Sequence, residues 1–308
     1  MKLHIDTDMG GDIDDLCALA MALNWPGVEI LGVTTVADHK GKRGGYVRYA
    51  LGLAGRDDIE VATGADVSLG CYRDRPELPD EARYWPEPIS PALTPLDDAL
   101  DLLARNIDRG AIIAAIGPYT NLALLERRCP GILRRANLFL MGGYVHPPRP
   151  GFPDWSPETG YNVQVDVQSA ELVFQTSRPT LITLAETAET ALRRAHLPAL
   201  RGAGPLARLI AHQAEVFDTE ENTRARYSHA FPNVPEDSIN FQHDGLACAI
   251  ALGWSDGVEI AEIPLVTEVR DGWLYQTIGE SGSPARVVTR ANGAEFSEFW
   301  LRTVLGER

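Results

Sequence analysis

The chain has 308 residues, 44% hydrophobic and 23% charged, an ordinary globular composition that can bury a large core. Its longest apolar stretches, such as Leu16 to Leu23 and Leu246 to Trp254, fall well short of the ~20 residues a membrane-spanning helix needs. A net charge of −15 repels phosphate backbones and anionic lipid, so nucleic-acid polymers and membranes are poor partners, and an anionic substrate needs a local cation.

Met1 and Lys2 lead into a strand without an apolar leader, so a cytoplasmic location is expected. Cys17, Cys71, Cys129 and Cys248 are scattered, and they read as reduced core residues.

In chain order, strand-like and helix-like segments alternate. Strands are predicted at Leu3–Ile5, Val28–Val36, Ile59–Ala62, Ile112–Ile116, Leu138–Met141, Thr180–Leu184 and Val258–Val266. Helical spacing occupies Asp14–Asn24, Lys42–Leu53, Leu96–Asn106, Asn121–Arg128, Val167–Thr176, Leu197–Phe217 and Gly245–Leu252. This alternation predicts an α/β fold with a mainly parallel, open sheet covered on both faces, whose ligand site lies outside the carboxyl ends of the strands. No break in composition divides the chain, so residues 1–308 read as one domain. Two stretches rich in proline, glycine and aromatics, Tyr72–Thr94 and Val145–Thr159, read as long ordered loops over a site. Their Tyr72, Trp85, Phe152 and Trp155, with Tyr144 just before the second, suit stacking on a base or packing as anchors.

After the first strand, Asp6-Thr7-Asp8-Met9-Gly10-Gly11-Asp12-Ile13-Asp14-Asp15 gathers five carboxylates. Helix capping explains some of them, with Asp12 as N-cap and Asp14 and Asp15 in the first turn. It leaves out Asp6 and Asp8, which share one face at the strand's period of two. Two carboxylates ~4 Å apart repel by roughly 4 kcal/mol at an effective dielectric near 20, so such a cluster has to protonate or hold a cation. Oxygen ligands with no nearby Cys or His favour calcium or magnesium over zinc, and a flexible loop suits the tolerant geometry of calcium.

The same residues resemble the signature of the nucleoside hydrolase family, Asp-x-Asp, a short glycine loop, then Asp-Asp opening an apolar helix. Here two more residues, with Asp12 among them, separate the Asp pairs than in the commonest form. The resemblance recurs along nearly the whole chain, at Gly32–Ala37, Leu53–Asp58, the turn Gly117-Pro118-Tyr119-Thr120-Asn121, Met141-Gly142-Gly143, Gly160-Tyr161-Asn162 with Asp166, and Phe241-Gln242-His243-Asp244. Gly160 stands where the family usually has Glu, and His39 where many members have Asn. An Asp244 placed as N-cap and an isolated His243 also suit plain capping and packing.

The resemblance implies the nucleoside hydrolase fold and calcium-dependent cleavage of the N-glycosidic bond of ribonucleosides, with one Ca2+ per subunit, in a homodimer or homotetramer. It implies that Asp8, Asp15, Asp244 and the Ile116 carbonyl hold the ion, and that Asp14, Asn162, His39 and Met141 face the substrate. Asp8 is then the general base and His243 the acid for the leaving base, with a pKa near neutrality. Asp6 is expected to orient a ligand. Asp12 stays open between capping, support and direct chemistry.

Two other readings remain at this point. Asp-x-Asp after a first strand is also similar to the opening of haloacid-dehalogenase-like magnesium phosphohydrolases, which leaves Asp14-Asp15 and His243-Asp244 without a task. A non-catalytic calcium-binding relative that holds ribosylated ligands would suit the missing Glu at Gly160.

Overall fold

The computed structural model describes residues 1–66 and 78–307. Its strands are β1 (Lys2–Thr7), β2 (Glu29–Thr35), β3 (Val61–Thr63), β4 (Ile112–Ala115), β5 (Asn137–Met141), β6 (Thr180–Ile182), β7 (Leu192–Arg193), β8 (Ser238–Asn240), β9 (Glu259–Arg270), β10 (Trp273–Ile278) and β11 (Ser283–Arg290). Nine of them form one sheet in the order β10-β9-β11-β6-β5-β4-β1-β2-β3, while β7 and β8 pair separately. The strands from β3 across to β11 run parallel, and β9 alone runs against them, paired antiparallel with β11 on one side and with the edge strand β10 on the other.

Alternate residues of the central strands feed two different cores. Leu3, Ile5, Ala114, Ile116, Phe139 and Met141 join one cluster with Leu16, Ile210, Leu246 and Trp300, whereas Ile113, Ala115, Leu138 and Leu140 join the other with Leu103, Leu122 and Val173. Helices therefore cover both faces, and continuous apolar strands follow from burial on both sides. No helix among the described residues is long and apolar enough to cross a membrane.

The chain lays down β1, β2 and β3 toward one edge, then returns to place β4, β5 and β6 on the other side of β1. Neighbouring strand ends splay at such a reversal and leave a crevice between β1 and β4. Asp6, one residue before the end of β1, accepts the Ile116 amide on its carbonyl at 2.8 Å, so the acidic segment and the Ile116-Gly117 turn meet there.

Three predicted elements differ. The helix expected over Leu197–Phe217 is two, Leu197–Gly202 and Pro205–Glu221, because Pro205 lacks an amide and disfavours helical geometry at Gly204 before it. The strand expected to reach Leu184 stops at Ile182, where Thr183 caps the short helix Leu184–Thr187 by accepting the Ala185 amide at 3.3 Å. The last predicted strand extends to Arg270. It is followed by β10, β11 and a helix Gly293–Val304 that the pattern did not suggest. Of the first predicted loop, the stretch that includes Cys71 and Tyr72 lies outside the described residues. The other cysteines are free, Cys17 and Cys248 buried and Cys129 exposed, so the core reading fails for Cys129.

Candidate active site

Five segments converge on the crevice. Asp8 follows β1, Asp14 and Asp15 open the helix Asp14–Asn24, Ile116 follows β4, Asn162 lies on the short helix Tyr161–Gln164, and Asp244 lies in the first turn of the helix His243–Ala251. Carboxylate oxygens of Asp14, Asp15 and Asp244 all lie within 4.8 Å of one another, and the three residues are buried. Such a group either takes up protons or holds a cation. Burial raises the pKa of all three well above the usual carboxylate range, and their mutual repulsion adds to it. The donors are oxygens only, which fits a hard divalent ion.

Asp8 shares this cavity. Burial raises its pKa, and the Arg43 guanidinium works against that rise. Thr7 donates its hydroxyl to Asp15, and Gly117 packs so tightly that a Cβ there would stand 2.9 Å from Asp8 Oδ1. Asp6 instead points into the sheet, where its Oδ1 accepts from Thr34 Oγ1 at 2.5 Å and Asn121 Nδ2 at 2.7 Å. Burial pushes its pKa up to about 7. Asp6 and Asp8 do not share a strand face, because β1 ends at Thr7. Behind Asp6, Asn106 Nδ2 donates to His4 Nδ1 at 2.9 Å, leaving His4 Nε2–H to reach Thr34 Oγ1 at 2.9 Å.

Capping explains less than expected. The helix Asp14–Asn24 begins at Ile13 without a side-chain cap, and Gln242, not Asp244, precedes the first turn of the helix His243–Ala251. Asp12 does accept the Ile13 amide at 2.5 Å, and Asn240 Nδ2 as well. It keeps solvent contact at the cavity mouth, while the protein around it still raises its pKa to about 6.

The cavity measures about 440 Å³, room enough for a small molecule. The cavity is also lined by aromatic rings, with Trp155 5.0 Å from Phe241 and 5.5 Å from His243, ring centre to ring centre. His243 Nδ1 is 2.7 Å from Thr187 Oγ1, and burial lowers its pKa to about 4. The expectation of a near-neutral pKa for this ring is therefore corrected, since an apolar wall disfavours the imidazolium.

Asn162 donates to the Ile116 carbonyl at 2.8 Å and to the Met141 carbonyl at 3.2 Å. Asp8, Asp12, Asp14, Asp15, Ile116, Met141, Gly160, Asn162, His243 and Asp244 thus line one cavity. His39 does not line it and Asp6 lies beneath it. Of the predicted loop aromatics that are described, Trp155 lines the cavity, whereas Trp85 stacks on Tyr46 with ring centres 4.5 Å apart. Arg43, Thr187, Tyr227 and Asn240 escaped the sequence reading. Arg43 sits in a helix that looks polar and ordinary, and the other three come from stretches without a motif. Only the closeness of Asn240 to Phe241-Gln242-His243-Asp244 hinted at a role.

Residues 3–298 match the family model described as inosine-uridine preferring nucleoside hydrolase. A pyrimidine-specific ribonucleoside hydrolase RihA from Enterobacter sp. (strain 638) is 31% identical over 234 residues, 70% of this chain and 71% of that protein. Its counterpart from Citrobacter koseri is 28% identical over 237 residues, 70% and 72% of the two chains. Among solved structures, a purine-preferring ribonucleoside hydrolase from Gardnerella vaginalis superposes with a TM-score of 0.79 at 20% identity, covering 99% of this chain and 98% of the other. An inosine-guanosine nucleoside hydrolase gives 0.77 at 17% identity, covering 100% and 99%. With one cavity drawing carboxylates from both ends of the chain, and a family match from residue 3 to residue 298, the chain belongs to the inosine-uridine preferring nucleoside hydrolase family and is a hydrolase of ribonucleoside N-glycosidic bonds.

Proposed function

We propose that the protein is a calcium-dependent ribonucleoside hydrolase whose ion is held by Asp8, Asp15, Asp244 and the Ile116 carbonyl, releasing free base and ribose. The observation that carries this reading is the convergence of Asp14, Asp15 and Asp244 in a buried, oxygen-only group. Asp15 and Asp244 belong both to that group and to the set the resemblance implies. Asp14 is assigned to the ribose hydroxyls together with Asn162. When bound, the ion would supply positive charge that eases deprotonation of an attacking water.

N-glycoside cleavage passes through an oxocarbenium-like state, which needs water attack, a stabilised positive sugar and an activated leaving base. Asp8 takes the water's proton. It suits that role better than Asp12, whose Oδ1 is already engaged by the Ile13 amide and Asn240. The remaining carboxylates favour positive charge on the ring. Asn162, braced on the carbonyls of Ile116 and Met141, keeps its amide oxygen for a sugar hydroxyl. Trp155 and Phe241 flank the base. Thr187 Oγ1, 2.7 Å from Nδ1, holds the His243 ring in place, and in the tautomer with its proton on Nε2 His243 polarises the base as a neutral donor.

A panel of cytidine, uridine, inosine and guanosine, assayed for reducing sugar with and without chelator, tests the reading. Release of ribose that chelator abolishes and calcium restores supports it. Phosphate release from phosphoesters without ribose release from nucleosides overturns it. The RihA relatives are named pyrimidine-specific, so cytidine and uridine are the expected better substrates. A homodimer or homotetramer is the expected assembly, to be checked by light scattering.

A further inference from the structure

We propose that Arg43 is a positioning residue for the reaction centre: its guanidinium clamps the loop that carries Asp8 and Asp12, and so sets where Asp8 stands relative to Asp14, Asp15 and Asp244. The inference rests on the reading of this cavity as a cation-dependent nucleosidase site. Arg43 is 1% exposed and lines the cavity from the helix Lys42–Leu53. A buried guanidinium persists only where hydrogen bonds and opposite charge compensate its desolvation.

Three backbone carbonyls around the crevice receive its side chain. Nε donates to the Ala37 carbonyl at 2.9 Å, and Nη1 donates to the carbonyl of Met9 at 3.1 Å and to that of Asp8. The base of the side chain is fixed in turn, because the Arg43 amide donates to Asp38 Oδ1 at 3.1 Å while Asp38 Oδ2 accepts from Thr35 Oγ1 at 2.6 Å and the Gly44 amide at 2.9 Å. Holding the carbonyls of residues 8 and 9 fixes the peptide planes on the carboxyl side of Asp8. That limits the directions its side chain can take.

Tyr46 stands one turn further along the same helix face. Gly10, at φ +106°, lies so close over its ring that a Cβ would come within 2.4 Å of it. Arg43 and Tyr46 together form the bed on which residues 9–11 rest, and Asn240 holds Asp12 on the far side. This loop is the place where the chain has two residues more than the commonest family form. Extra loop residues carry extra conformational freedom, and the clamp removes it.

The test compares full-length wild type with Arg43→Lys, Arg43→Met and Arg43→Ala. It measures kcat and KM on the best nucleoside, calcium binding by titration calorimetry after chelator stripping, and melting temperature. Displacing a reacting group by about 1 Å costs on the order of 100-fold in rate, so Arg43→Met and Arg43→Ala should lose about that much kcat with KM nearly unchanged. Calcium binding should weaken by roughly 10- to 100-fold, the range for residues that orient ligands. Arg43→Lys should fall between, and added guanidinium chloride should restore part of the kcat of Arg43→Ala while leaving wild type unchanged.

Wild-type kcat and calcium affinity in Arg43→Met overturn the clamp. So do losses that follow a lowered melting temperature and recover with neither lysine nor guanidinium. If Met and Ala variants fail to fold, Arg43→Lys decides. Lower kcat and weaker calcium binding at an unchanged melting temperature support the clamp, and wild-type values overturn it. A wild type that hydrolyses no nucleoside sinks the functional reading instead, and calcium binding by the variants still decides the clamp.

Discussion

Asp14 Oδ2 accepts the backbone amide of Asp244 at 3.3 Å, joining the first turn of one helix to the first turn of another across 230 residues of sequence. The positive ends of two helices therefore meet at one acidic cluster, which eases the repulsion without abolishing it.

Cation-free protein should lose stability as pH rises. The raised pKa values of Asp14, Asp15 and Asp244 mean that the folded state holds protons which the unfolded state releases above its ordinary carboxylate pKa. The cluster's contribution to stability is then greatest at acid pH and falls as it ionises. Melting curves across the acid-to-neutral range should show this fall in chelator and not in calcium. Asp244→Asn should raise the melting temperature in chelator at neutral pH and shrink the calcium effect. A calcium-independent melting temperature at every pH contradicts the cation reading.

Asp8→Asn keeps the shape of the side chain and removes its basicity. A general base contributes on the order of 10²- to 10⁴-fold, so kcat should fall by about that range with KM little changed. Steady-state assays at saturating calcium decide the matter. An Asp8→Asn enzyme as fast as wild type removes Asp8 from the role, and a matching loss in Asp12→Asn would give the role to Asp12.

His243 works through Thr187 if the neutral-donor reading holds. Its lowered pKa, about 4, keeps the ring uncharged at neutrality, so rate profiles should show no limb from this histidine between about pH 5.5 and 8. His243→Ala should reduce kcat on the preferred nucleoside by roughly 10²-fold. Thr187→Val should cost less, and should cost nothing further in the His243→Ala background. Additive losses in the double variant break the proposed coupling.

His4 is expected to sensitise the fold to acid. Burial, with help from Arg105, lowers its pKa from 6.5 to about 3. The unfolded chain therefore takes a proton below the ordinary value that the folded chain refuses. Stability from the neutral ring is complete above pH 6.5 and is lost on acidification toward pH 3. By pH 4.5 this amounts to about 2–3 kcal/mol, at ~1.4 kcal/mol per pH unit. Denaturant titrations of wild type and His4→Gln should show the gap between them narrowing by that amount from pH 7.5 to 4.5. A constant gap removes His4 as the cause.

The sequence by itself determined the alternation of strand and helix, the parallel sheet and the acidic segment after β1, because burial on both sheet faces and the φ restrictions of glycine and proline act on local residues. Asp14, Asp15, Asn162 and Asp244 were legible for the same reason: each stands at a strand end or in a first helical turn, with a motif around it. Only the tertiary structure decided that Asp6 turns into the sheet toward Thr34 and Asn121, that His39 stays off the cavity, and that Thr187 meets His243. It also brought Arg43 beneath Asp8, 35 residues away in sequence. Those relationships depend on how the strand order reverses beside β1 and on which side chains a desolvated crevice can hold, and spacing along the chain carries no record of either.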